Sequence, residues 1–195
     1  MPSIFQKPPF NLGQGEAGLA ATLPWQVAAI PVLTGVSFPM SDFLTVAAER
    51  IPTLAGIKFT NPDLMAYQKC LHAQDGRYDI PWGVDEYLLA ALALGATGGV
   101  GSSFNFGAPI YHRMIAAFER SDLATARAEQ FRCVQIIELL AGFGYMGAAK
   151  AVMGFLGVEV GQPRLPNAVL SSERIERLNA VLETLGFFDW VRKRE

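Results

Sequence analysis

The chain has 195 residues, 51% of them hydrophobic, and its 18 acidic against 16 basic residues leave a formal charge of −2 and a pI near 5.7. That is enough apolar chain for one good core and excludes a disordered protein, and no basic cluster larger than Arg192-Lys193-Arg194 offers a footprint for nucleic acid. Cys70 and Cys133 with His72 and His112 are too few and too scattered for a disulfide framework or a zinc site; the start lacks the pattern of an export signal and no run approaches the roughly eighteen apolar residues of a membrane span, so a soluble, cytoplasmic protein with no membrane partner is expected.

Residues 1–24 are the least regular. Gly13-Gln14-Gly15-Glu16-Ala17-Gly18 formally matches a dinucleotide-binding glycine pattern, but prolines precede it and Pro24 stops the following helix after about one turn, so it reads as a linker. From Trp25 a rhythm sets in. Residues 26–32 read as a strand, Ser41 caps a helix to Arg50, and 54–60 form a second strand. Asn61 and Pro62 open a helix to about Leu71, 78–84 form a third strand, and 85–95 a third helix with Leu88, Leu89 and Leu92 at helical spacing. Residues 98–104 make a glycine-rich fourth strand and 109–120 the helix that follows it. Strands alternating with helices mean parallel βαβ units. Beyond Ser121 the pattern is helical only: 123–143, with Ala126, Phe131, Val134, Ile137 and Leu140 on one apolar face, then 147–156, then 173–185 after a Ser172 cap.

The second strand holds the residue of chemical interest. Side chains alternate along a strand, so Gly56, Lys58 and Thr60 share one face while Ile57 and Phe59 share the other. A lysine so placed either carries its ammonium into water from the strand end or stands in a confined polar cavity. In the cavity, burial would disfavour the charged form and leave free amine able to attack a carbonyl and form a Schiff base.

Several co-linear stretches resemble a known family. Ile30-Pro31 with Thr34-Gly35-Val36, Gly56-Ile57-Lys58-Phe59-Thr60, Gly83-Val84-Asp85-Glu86, residues 95–105 (Gly95-Ala96-Thr97-Gly98-Gly99 through Gly101-Ser102-Ser103-Phe104-Asn105) and Pro163-Arg164-Leu165-Pro166 are similar, in this order, to N-acetylneuraminate lyases. These are class I aldolases of the dihydrodipicolinate synthase superfamily, built on an eight-unit β/α barrel with a helical C-terminal extension. The resemblance implies that Lys58 is the Schiff-base position, attacking the C2 carbonyl of a 2-keto acid to give an iminium that draws electrons as the C3–C4 bond breaks. It implies that Thr60 binds the keto-acid part or a substrate hydroxyl, that Gly83, Asp85 and Glu86 hold a sugar's glycerol-like tail, and that Gly101 and Ser102 line the opposite wall. A β-branched strand residue, an acidic first helical turn and a close-packed glycine strand would account for the same residues without a substrate. No cofactor is implied, because lysine supplies the electrophile.

The resemblance also marks departures. A complete barrel takes about 250 residues, and this chain is expected to supply a partial (β/α)8 barrel, about four units resembling strands five to eight, over 1–122, with a helical extension over 123–195 packed on it. Met1 to Pro8 resembles the end of the fourth strand, and the Gly-Thr-Thr-Gly-Glu-type stretch that holds the substrate carboxylate is missing. Ala28 stands where the family carries a proton-relaying tyrosine, and alanine transfers no proton. Two functions are therefore expected to compete. One is reversible cleavage of sialic acid to N-acetylmannosamine and pyruvate, impaired in this chain; the other is an inactive half barrel acting as an interaction partner. Open strand edges make a homo-oligomer the expected state in either case.

Overall fold

The computed structural model describes residues 11–12, 25–35 and 37–192; the glycine pattern at 13–18 and the Arg192-Lys193-Arg194 run beyond its first residue lie outside them. In chain order the elements are β1 (Asn11–Leu12), β2 (Trp25–Ala29), α1 (Pro31–Thr34), α2 (Met40–Arg50), β3 (Leu54–Phe59), α3 (Leu64–His72), α4 (Leu88–Ala93), β4 (Gly98–Gly99), α5 (Phe104–Glu119), α6 (Leu123–Phe143), α7 (Tyr145–Phe155), α8 (Ser172–Leu185) and α9 (Phe187–Val191). Short 3₁₀ turns occupy Ala73–Gly76 and Asp85–Tyr87. The chain divides into two compact units, residues 1–101 and 102–195. The first is α/β with parallel pairing and the second is helical.

In the first unit β2 runs parallel to β3, with Gln26, Val27, Ala28 and Ala29 opposite Gly56, Ile57, Lys58 and Phe59. Residues 79–83 continue the pairing beyond β3: Ile57 N–H donates to the Asp79 carbonyl at 3.1 Å, Phe59 N–H to Pro81 at 2.9 Å, and Gly83 N–H to Phe59 at 2.8 Å. Trp82 then exchanges bonds with Gly98 and Val100 at 3.0 and 2.8 Å, and β4 pairs in parallel with β1. The third expected strand is thus present as isolated bridges. Pro81 has no N–H to give the ladder, which interrupts it.

Helices cover one face of this ladder. Ile57 and Phe59 are buried, and the Phe59 ring lies 5.3 Å from Tyr67 of α3 and 6.0 Å from Trp82, with Tyr67 and Trp82 meeting edge to face at 4.8 Å. Burial, followed by the nearby Asp79 charge, holds the Tyr67 phenol well above its ordinary range, so it stays a donor and bonds the Ile80 carbonyl at 2.9 Å. Leu44 and Ala47 of α2 complete the layer, with the Tyr78 hydroxyl donating to the Leu44 carbonyl at 3.2 Å.

In the second unit the seam of α6 is Ala126, Glu129, Cys133, Ile136 and Leu140. The expected face through Phe131 and Val134 is rotated from it, and Phe131 is 61% exposed. Glu129 is buried in this seam because two arginines hold it, Arg113 of α5 at 2.9 Å and Arg132 at 2.6 Å. Phe187 of α9 packs edge to face on Phe106 of α5. Among the described residues no single helix is long and apolar enough to cross a membrane.

Several element ends differ from expectation for local reasons. Pro31 starts a helical turn rather than extending β2. Pro39 takes the N-cap position of α2, so Ser41 lies inside it, while Asp63 rather than Asn61 caps α3 by accepting from Ala66 N–H at 2.9 Å. Ser171, one residue early, caps α8. Pro109 lies within α5, which begins at Phe104, so the fourth strand shrinks to Gly98–Gly99. The Pro163-Arg164-Leu165-Pro166 stretch lies in a loop, its Leu165–Pro166 peptide cis.

Candidate functional site

The face of β3 away from Tyr67 carries Lys58. The strand alternates, so with Ile57 and Phe59 turned to the helices, Lys58 and Thr60 project from the opposite side, both half-buried. Backbone bonds fix them on both flanks: Thr60 N–H donates to the Ala29 carbonyl at 2.9 Å, and the Phe59 carbonyl accepts from Gly83.

Gly83 brings the next strand against this pair. A Cβ at Gly83 would fall 2.1 Å from Thr60 Oγ1 and 3.0 Å from Lys58 Cε, so only glycine leaves both side chains where they are. The Thr60 hydroxyl is buried and has no hydrogen-bond partner among the described residues. Leaving a buried hydroxyl unsatisfied costs about 1–3 kcal/mol, and a polar ligand group at this position would recover it.

Asp85 and Glu86 follow in the 3₁₀ turn after Val84, Asp85 buried and Glu86 half-buried. The Asp85 carboxylate lies against the Gly101 backbone: a Cβ there would fall 1.7 Å from Asp85 Oδ1. Gly101 therefore makes room for a carboxylate as Gly83 makes room for a hydroxyl and an amine. Lys58, Thr60 and Gly83 come together as one group, and Asp85 with Gly101 as another. On the Lys58 face of β2, the residue in register is Ala28, an exposed methyl with no titratable group.

Ser102 opens the second unit. It is exposed, and its hydroxyl lies 2.9 Å from that of Tyr145 at the start of α7, a residue that sequence reasoning left outside the helix it began at 147. Lys150, also on α7, donates to the Val160 carbonyl at 2.8 Å and so ties down the loop after that helix. His72 and His112 are exposed. Among the described residues no three His, Cys, Asp or Glu side chains are grouped to hold a metal ion.

Residues 17–185 match the dihydrodipicolinate synthetase family. The chain belongs to that family. Among curated relatives, N-acetylneuraminate lyase of Mus musculus is 37% identical over 174 residues, 88% of this chain and 54% of the relative. The Gallus gallus lyase is 37% identical over 179 residues, 90% and 58% of the two chains. Among solved structures, Proteus mirabilis N-acetylneuraminate lyase superposes with a TM-score of 0.77 at 37% identity, over 80% of this chain and 53% of that one. The Aliivibrio salmonicida lyase gives 0.76 at 39%, over 80% and 52%. The chain spans about half the length of these relatives. Every residue described above from Ala28 to Tyr145 falls inside the stretch matched to the dihydrodipicolinate synthetase family.

Proposed function

We propose that this chain carries the Schiff-base portion of an N-acetylneuraminate lyase-like aldolase, folded as part of a (β/α)8 barrel, with Lys58 as the nucleophile. The observation that carries the reading is the packing of Lys58 and Thr60 on Gly83, which puts an amine beside a buried, unpartnered hydroxyl on the face of β3 that the helices leave free. The similarity to N-acetylneuraminate lyases at 37% identity supports the substrate class.

In the proposed chemistry the neutral amine adds to the C2 carbonyl of the sugar acid, water leaves with the carbonyl oxygen, and the iminium remains. A base takes the proton of the C4 hydroxyl, the electrons of the C3–C4 bond flow into the iminium, and N-acetylmannosamine departs. Protonation of the enamine at C3 and hydrolysis then release pyruvate and restore the amine. Thr60 would bind the keto-acid part, Gly83, Asp85 and Glu86 the polyhydroxylated tail, and Gly101 and Ser102 the remaining wall. Ala28 gives the base step no group opposite Lys58. Cleavage is the step this impairs, and the imine adduct is expected to be weak.

The second reading is a catalytically inactive half barrel that pairs with another chain or a second copy. It is favoured by two exposed residues of β2, Ala28 and Val27, the latter 40% exposed. Borohydride reduction in the presence of millimolar pyruvate, followed by intact mass and peptide mapping, decides between them. A Lys58 adduct, even of low yield, supports the aldolase reading, and an unmodified chain removes it.

A further inference from the structure

The surroundings of Lys58 are asymmetric. On the flank toward residues 82–83, the space a Cβ of Gly83 would take is already filled by Thr60 Oγ1, 2.1 Å away, and by Lys58 Cε, 3.0 Å away. On the other flank the in-register residue is Ala28, a single exposed methyl. In-register residues of neighbouring strands project to the same face about 4.8 Å apart, so this methyl is the β2 side chain nearest the lysine.

We propose that Ala28 sets the size limit of the carbonyl compound that Lys58 accepts, so that 2-keto acids with a bulky substituent on C3 condense as readily as pyruvate. The inference rests on the Schiff-base reading of Lys58 above. An imine carbon carries two arms, and the planar C=N bond sends them to opposite sides of the N–C axis. The arm directed at Gly83 meets the flank that the Thr60 side chain and the lysine's own stem already fill, where a compact carboxylate fits better than a substituted alkyl chain. The carbon chain is thereby turned toward β2, where only a methyl stands. A leucine there would reach across the strand spacing and occupy that volume.

The test is imine trapping on the full chain with pyruvate and with phenylpyruvate, which differ only in the group on C3. In each case the amine adds to C2, water leaves, and borohydride delivers hydride to the imine carbon to give a stable secondary amine on Lys58. The parent is expected to give comparable adduct with both acids. Ala28→Leu should lower the phenylpyruvate adduct by about tenfold or more, the penalty of forcing one group into another's volume, while keeping the pyruvate adduct. Ala28→Ser, nearly the same size, should behave as the parent. Should Ala28→Leu lose both adducts, the smaller Ala28→Val carries the same comparison. A parent that traps pyruvate and rejects phenylpyruvate, or an Ala28→Val variant that changes both adducts equally, would overturn the inference and leave the Schiff-base reading standing. No pyruvate adduct in the parent overturns both.

Discussion

Thr60 and Gly83 touch so closely that a single methyl group added to the glycine would lie 2.1 Å from the threonine oxygen. Gly83→Ala must therefore push aside the hydroxyl and the Lys58 stem, or move the strand. The expected result is a stability loss of about 1–3 kcal/mol in a denaturant melt, as for other overpacked sites. Loss of the pyruvate adduct should accompany it. A variant of parental stability and parental adduct would show that the two strands part here at little cost.

Lys58→Arg keeps the positive charge and much of the length of the stem but supplies no primary amine. It should abolish trapping at a stability loss of no more than about 1–3 kcal/mol, since the larger guanidinium enters the flank packed on Gly83. Retention of a pyruvate adduct in this variant would assign the modification to another lysine. Peptide mapping reads out which.

Ala28→Tyr places a phenol opposite Lys58 in the ladder. If the relay position were the only obstacle, cleavage of N-acetylneuraminate would appear in a coupled assay for N-acetylmannosamine. No turnover is expected, because the stretch that holds the substrate carboxylate in the family has no counterpart among the motifs of this chain. Measured recovery would make the single phenol sufficient.

Glu129 sits at 7% side-chain exposure between Arg113 and Arg132, which keep 38% and 36% of theirs. The partners are thus unequal. Removing the carboxylate leaves two arginines that can turn to water, whereas removing both arginines strands a buried charge. Arg113→Ala with Arg132→Ala should approach the ~3–5 kcal/mol cost of a broken buried pair, and Glu129→Gln should fall well short of it. Equal losses in thermal melts would refute this ordering.

Asp122 caps α6, and its hydrogen bonds with Thr125, side chain first and then backbone, hold its carboxyl below the usual carboxylate range. A depressed folded value contributes stability that is present above the unfolded pKa of about 4 and is lost as pH falls through the folded value. Melts at decreasing pH should therefore show a smaller acid-side loss in Asp122→Asn, which can still cap but does not titrate. Parallel curves for the two proteins would leave the cap without a titrating role.

What the sequence disclosed about the site came from alternation. Lys58 and Thr60 on one face and Ile57 and Phe59 on the other follow from the period of two, and the structure has that arrangement. Helix α6 was also legible to the residue, since Asp122 and Gly144 bracket an unbroken helical pattern. The face of α6 was not, because an arginine pair nineteen residues apart in sequence can make a glutamate a core residue, and no local signal reports that pairing. Prolines misled in both directions: Pro109 suggested a helix start that lies five residues earlier, and Pro81 hid in an expected strand that it interrupts. The contact of Gly101 with Asp85 was visible only as two separate motifs.

The pairing of Asn11–Leu12 with Gly98–Gly99 has a bearing on how the chain is made. Strands β2 and β3 can meet as soon as residue 59 has left the ribosome, but β1 meets β4 only after residues 98–99 have followed it. At about 5–20 residues per second that interval is on the order of ten seconds, during which Asn11–Leu12 waits for its partner strand.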